Sequence, residues 1–319
     1  MDTKHLVDAE LLPALEYLPS FDFSLAVLPQ MRVMMTEMQR QRRDAAPPSD
    51  VVVEERHVPG SAGAPDVRVL IYSPPGATGT KSGYLHIHGG GYIMGAPEMM
   101  DAQDKALVKE IGCVVMSVDY RLAPETPHPG PVEDCYAALK WFHANAAALG
   151  VDPGRVAIGG ESAGGGLSAA LGLLTRDRGE VPLAFQLLIY PMLDDRTVTR
   201  DEPHDFAGEF LWNAQANRFG WHSLLGQEPG ARGVSHYAAA ARATSLAGLP
   251  PTFISVGALD ILLDENIDYA KRLLAAGVPT ELHVYPSAYH GFDVVVADAD
   301  VSKRAHRDQL AALKRALLR

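Results

Sequence analysis

The chain has 319 residues, a hydrophobic fraction of 47% and a net charge of −11 from 28 basic and 39 acidic residues. That charge argues against nucleic acid and anionic membrane surfaces as partners, and no apolar run reaches the ~18 residues of a membrane span. The start, Met1-Asp2-Thr3-Lys4-His5, lacks a basic region followed by an apolar stretch, so a cytoplasmic protein without a signal peptide is expected.

The length slightly exceeds the size at which a single core stops growing, so one main α/β domain with extra material folded onto it is expected. The two cysteines, Cys113 and Cys135, lie in an apolar run and a helical pattern, and read as small buried hydrophobes. Neither His-x-x-x-His nor Cys-x-x-Cys accompanies them, so no metal site is expected.

In chain order, residues 1–48 read as helical. Met31, Met34, Met35 and Met38 recur at i, i+3, i+4 and i+7, one face of a helix, which could glue that helix to the body or form a soft pocket wall. Val51–Val58 and Val67–Tyr72 are β-rich runs joined by a Pro-Gly-Ser loop, and Gly83–His88 and Val114–Asp119 follow as further strands. A helix around 98–111 precedes the fourth strand, and one around 131–148 leads to the apolar run Arg155-Val156-Ala157-Ile158. Ala184–Tyr190, Thr252–Val256 and Glu281–Tyr285 complete an eight-strand reading, with helices near 264–276 and 302–318. Strands alternating with helices predict a mostly parallel, doubly wound sheet, whose chemistry gathers beyond the carboxyl ends of its strands. Residues 193–245 break this rhythm with Phe206, Phe210, Trp212, Phe219 and Trp221. They read as an insertion that packs with the amino-terminal helices over that edge.

Gly160-Glu161-Ser162-Ala163-Gly164 sits between a strand and a small-residue helix, the context that a G-x-S-x-G turn requires. Such a turn lifts a serine hydroxyl clear of the sheet and places it at a helix N-terminus. A glycine-rich turn with an incidental serine accounts for these residues alone equally well. A serine hydroxyl needs a base, and that base needs a carboxylate to orient it. Asp260 lies just past the seventh strand and His290 just past the eighth. His57, His128, His204, His222 and His236 lack that placement, and Asp264 and Glu265, the competing acids, open the following helix. Upstream, His88-Gly89-Gly90-Gly91 follows the third strand. The N–H groups of Gly90, Gly91 and Ala163 could meet an oxyanion formed at Ser162.

The order Ser162, Asp260, His290 is that of α/β-hydrolases. Together with His88-Gly89-Gly90-Gly91-Tyr92, Asp119-Tyr120-Arg121-Leu122-Ala123-Pro124-Glu125, Gly160-Glu161-Ser162-Ala163-Gly164-Gly165 and His290-Gly291-Phe292, it resembles the hormone-sensitive-lipase family of bacterial carboxylesterases over roughly residues 50–315. The resemblance implies an α/β-hydrolase domain over 49–319 with a helical cap from residues 1–48 and 193–245. It implies Ser162 as nucleophile, His290 as base, Asp260 as its orienter, Gly90, Gly91 and Ala163 as oxyanion donors, a small ester as substrate, and no cofactor. It also gives Tyr120 to Glu125 a structural role, as a turn bracing the oxyanion loop. Tyr92, Phe206, Phe210, Trp212, Ile261, the methionines and Glu161 are candidates to shape the substrate pocket. Glu161 stands where the family often carries Asp, a carboxylate beside the nucleophile that could also tune the site or bind a neighbouring backbone group, and Ile261 stands where Pro is usual. The short cap points to short-to-medium acyl chains. Related plant hormone receptors have lost the histidine, so a binding protein on this fold is the competing expectation, with an amidase a third. Exposure of the last strand could support a homodimer through the sheet edge.

Overall fold

The computed structural model describes residues 2–17, 23–76, 79–199 and 204–318; residues 18–22 of the expected amino-terminal cap segment and 200–203 of the insertion lie outside the described residues. Its centre is an eight-stranded sheet: β1 (Val52–Val58), β2 (Val67–Ser73), β3 (Lys81–Ile87), β4 (Val114–Asp119), β5 (Val151–Glu161), β6 (Phe185–Ile189), β7 (Thr252–Gly257) and β8 (Thr280–Tyr285), in the order β1-β2-β4-β3-β5-β6-β7-β8. β1 and β2 form an antiparallel hairpin and β2 runs antiparallel to β4, while every pairing from β4 through β8 is parallel. Parallel strands need crossover helices, and these cover both faces.

The two-residue period of the strands sorts side chains between the faces. Leu85, Ile87, Met116, Val118, Val156 and Ile158 pack against α3 (Gly130–Ala144) and α4 (Ala163–Arg178) through Leu139, Phe142, Leu167 and Leu171. The alternating Tyr84, Val115, Ala157 and Leu187 pack on the other face against α2 (Asp101–Ile111) and α8 (Asp300–Leu317). α6 (Leu263–Ala275) lies beside α4 on the first face, burying Tyr269 and Leu273 against Leu188 and Ile254. Two helix-covered faces explain why the inner strands read as near-continuous apolar runs rather than alternating ones, whereas the edge strand β1 is exposed along most of its length. Cys113 and Cys135 are free and buried, within those two layers.

The amino-terminal residues and the insertion meet at the carboxyl edge of the sheet. The Thr3 backbone N–H and hydroxyl both donate to Glu209, at 2.7 and 2.6 Å. Val7 and Leu11 pack with Leu259, Tyr289 and Phe292, beneath the loops that leave β7 and β8. Phe23 stands edge-on to Trp212 at 5.5 Å and stacks on Phe219 of α5 (Ala214–Leu225) at 6.1 Å. α1 (Leu28–Ala45) is the expected methionine helix, but its stripe divides. Met31 is buried with Leu28, and Met35, one turn on, is half-buried against the core. Met34 and Met38 are exposed, so of the four methionines expected on one helix face only Met31 and Met35 hold the helix to the body, and neither Met34 nor Met38 can form a pocket wall. The cause is geometric: positions 28, 31, 32 and 35 share the inner face, whereas 34 and 38 sit on its shoulder. Among the described residues no helix is long and apolar enough to cross a membrane.

Candidate active site

β5 ends at Glu161 and α4 begins at Ala163, so Ser162 alone makes the turn between them. Its φ of 56° lies in the left-handed region, a conformation costing ~1–3 kcal/mol outside glycine. The surroundings hold it there. The Ser162 N–H donates to the Ile189 carbonyl at 2.9 Å, and its own carbonyl accepts from the Gly166 and Met192 N–H groups at 2.9 Å each. The flanking glycines have a specific reason. A β-carbon at Gly160 or Gly164 would overlap the Ile87 carbonyl oxygen, because the end of β3 passes directly against the turn. The pattern thus records close approach of a third strand, beyond that of the strand and helix it joins.

His290 and Asp260 are brought to this serine by the loops after β8 and β7. His290 Nδ1–H donates to Asp260 Oδ2 at 2.7 Å, which leaves the Nε2 lone pair facing Ser162 Oγ at 2.9 Å. Asp260 is completely buried, and its second oxygen accepts from the Leu262 N–H at 2.9 Å. Of the competing acids, Asp264 is exposed, and buried Glu265 accepts from the Leu193 and Asp194 N–H groups and the Thr197 hydroxyl. Tyr190 meets the His290 ring edge-on at 4.9 Å, and Trp212 lies 6.3 Å from it. Two buried hydrogen bonds in line are the arrangement that makes a hydroxyl nucleophilic.

The glycines after β3 form a loop on the other side of Ser162. Gly90 and Gly91 have φ of 114° and 61°, and Tyr92, next in line, has 67°. Among the described residues, the N–H groups of Gly90, Gly91 and Ala163 find no acceptor, the condition for donors held ready for a ligand. A β-carbon at Gly91 would overlap the Trp212 indole, so the insertion packs directly on this loop. The loop is braced from behind. The Tyr120 hydroxyl donates to the His88 carbonyl at 2.9 Å, the Ala123 N–H donates to the Tyr92 carbonyl at 2.9 Å, and Arg121 pairs with buried Asp134 at 2.7 Å. Burial pushes the His88 imidazole down to about 4; it stays neutral, stacked on Tyr120 at 4.3 Å, with Nδ1 hydrogen-bonded to the Gly89 carbonyl.

Arg32, on α1, is a site residue that nothing in the sequence signalled. Its guanidinium donates to the Ile93 carbonyl at 2.7 Å and the Ala123 carbonyl at 2.9 Å, and pairs with Glu125. It thereby clamps the amino-terminal helix onto the glycine loop. An arginine within a run of methionines and glutamines carries no pattern by which it could have been picked out.

Several pocket candidates fall elsewhere. Tyr92 is fully buried, its hydroxyl donating to the Met192 carbonyl at 2.9 Å, so it supports the loop from within. Glu161 turns away from the cleft toward His86. Phe206 is exposed, and Phe210 packs on Tyr289 at 6.0 Å. Trp212 is near the site, with its indole N–H donated to Asn217 at 3.2 Å; Ile261, just after Asp260, packs against Gly208. Among the described residues no group of three or more His, Cys, Asp and Glu side chains is placed to hold a metal ion.

The comparisons with known proteins agree with this architecture. The family described as alpha/beta hydrolase fold matches residues 84–294. The carboxylesterase NlhH of Mycobacterium tuberculosis is 38% identical over 297 residues, covering 87% of this chain and 88% of that protein. The esterase LipI of the same organism is 32% identical over 316 residues, covering 98% and 96%. Among solved structures, a bacterial heroin esterase superposes with a TM-score of 0.94 at 43% identity over 99% of each chain. The chain therefore belongs to the α/β-hydrolase family, within its hormone-sensitive-lipase-like group of bacterial carboxylesterases, and is a carboxylic ester hydrolase.

Proposed function

We propose that the protein hydrolyses short-to-medium acyl esters through an acyl-enzyme on Ser162. The observation that carries this reading is the unbroken chain from Asp260 through His290 to Ser162, with hydrogen bonds of 2.7 and 2.9 Å. Ser162 Oγ attacks the ester carbonyl as its proton passes to His290 Nε2. The carbonyl electron pair moves onto oxygen, where the N–H groups of Gly90, Gly91 and Ala163 receive it. Collapse expels the alkoxide, which takes the proton from His290, and Ser162 remains acylated. Water then repeats the sequence, giving up its proton to His290 and releasing the acid and free serine. Asp260 holds the imidazole in the tautomer with Nε2 bare and stabilises the imidazolium between steps.

The acyl range rests on enclosure around the serine. Trp212 lies against Gly91, and Arg32 pins α1 to the loop that follows it. Turnover of p-nitrophenyl esters from acetate to palmitate tests this. Activity is expected to peak at or below about eight acyl carbons and to fall more than about tenfold by palmitate. A peak at palmitate would overturn the chain-length assignment and leave the ester hydrolysis intact.

A further inference from the structure

Glu161 immediately precedes Ser162, yet its carboxylate belongs to another network. Both of its oxygens accept from His86 Nε2, at 3.0 and 3.2 Å, while His86 Nδ1 donates to Asp104 Oδ1 at 2.6 Å. His86 and Asp104 are buried and Glu161 nearly so, and Tyr84 stacks on the imidazole at 5.6 Å. A neutral imidazole has a single N–H and cannot donate to an ionised carboxylate at each end, so with Asp104 and Glu161 both ionised this geometry calls for the imidazolium; burial also raises the Asp104 pKa, and a protonated Asp104 would instead donate to a neutral ring. Burial by itself would favour the neutral ring, but the Asp104 and Glu161 carboxylates outweigh it and hold the His86 pKa well above the ordinary value.

The position of this cluster ties it to the reaction. His86 lies on β3, two residues before the glycine loop, and Glu161 ends β5, one residue before the serine. β3 and β5 are ladder neighbours, with His86 opposite Gly159 and Ile87 opposite Gly160. One strand thus delivers the Gly90 and Gly91 donors and the other delivers Ser162 and Ala163. Asp104 fixes the ring from α2, behind the sheet. Attack on an ester places negative charge on the carbonyl oxygen beside the serine, and a bare carboxylate one residue away would oppose it in a site of low dielectric. Paired with an imidazolium, Glu161 carries no net charge there, and the remaining negative charge sits on Asp104, one ring further off.

We propose that His86 is a positioning residue for ester hydrolysis: as an imidazolium between Asp104 and Glu161, it locks the two strands that carry the oxyanion donors and cancels the carboxylate next to the nucleophile. The inference rests on the roles given above to Ser162, Gly90, Gly91 and Ala163. Its test is the steady-state turnover of p-nitrophenyl butyrate by His86→Gln, Glu161→Gln and the double variant, with Ser162→Ala alongside. His86→Gln is expected to lower kcat about tenfold with KM changed less than about twofold, because the charge it exposes acts on the transition state. Adding Glu161→Gln removes that charge and is expected to return kcat to within about threefold of the wild type. A double variant as slow as His86→Gln, or slower, would leave His86 a packing residue and overturn the charge-cancelling role. Should His86→Gln fail to fold, nitrogen-15 NMR of the histidines in Ser162→Ala at about pH 9 decides, since ordinary histidines are neutral there. One buried, doubly protonated imidazole is expected, and only neutral rings would overturn the proposal. Turnover surviving in Ser162→Ala would instead defeat the underlying assignment of the serine, an outcome distinct from either.

Discussion

Ser162→Ala is expected to lower kcat for p-nitrophenyl butyrate by about a millionfold, close to the whole contribution of a serine–histidine–carboxylate set. The size follows from the geometry: His290 Nε2 faces the hydroxyl at 2.9 Å and, among the described residues, has no other hydrogen-bond partner. The folded state should barely change. The Ser162 backbone is held through the Ile189 carbonyl and the Gly166 and Met192 N–H groups, none of which involves Oγ. Alanine also keeps the β-carbon that the strained φ of 56° already accommodates. A melting temperature within a few degrees of the wild type, measured on the same preparation, separates loss of the nucleophile from loss of the fold.

Asp260→Asn is expected to cost about 10⁴-fold in kcat, again with the fold retained. The two oxygens of Asp260 have different duties. Oδ1 accepts from the Leu262 N–H at 2.9 Å, and Oδ2 accepts from His290 Nδ1 at 2.7 Å. Asparagine can keep the first bond only by turning its carbonyl toward Leu262, which points its NH₂ group at His290. Nδ1 must then accept, so the ring's single proton moves to Nε2 and faces Ser162. In that tautomer His290 cannot take the serine proton. Steady-state kinetics of Asp260→Asn on the same ester check this, and retention of more than about a tenth of wild-type kcat would contradict it.

Much of this molecule was legible in its sequence, for physical reasons. Apolar runs of strand length marked the inner strands, because a sheet covered on both faces buries nearly every side chain along them, while the exposed β1 and half-buried β8 showed through their β-branched residues alone. Ser162, Asp260 and His290 could be located because each lies where a strand ends, and strand ends show as an apolar run giving way to a turn. The order of the strands was not legible. That β4 lies between β2 and β3 depends on which crossovers pack on which face, and no single segment carries that information. The methionine stripe showed a helix correctly and misplaced Met34 and Met38, because spacing gives a face without its width. Glu161 fails as a pocket candidate for a related reason. Adjacency to Ser162 in the chain says nothing about a side chain at the end of a strand, and what directs it is His86, 75 residues away. Arg32 escaped notice because its partners are chiefly backbone carbonyls, which leave no trace in residue identity.

The central claim is that Ser162 is the group that becomes acylated, and direct trapping tests it. The wild-type enzyme would be treated with a fluorophosphonate, digested, and mapped by mass spectrometry. In this reaction the serine oxygen bonds to phosphorus, fluoride leaves, and the proton passes to His290, as in ester attack. A single phosphonyl group on the peptide containing Ser162, appearing in step with loss of esterase activity, is the predicted result. Full inactivation with the adduct on any other residue, or an active enzyme that stays unlabelled, would contradict the account.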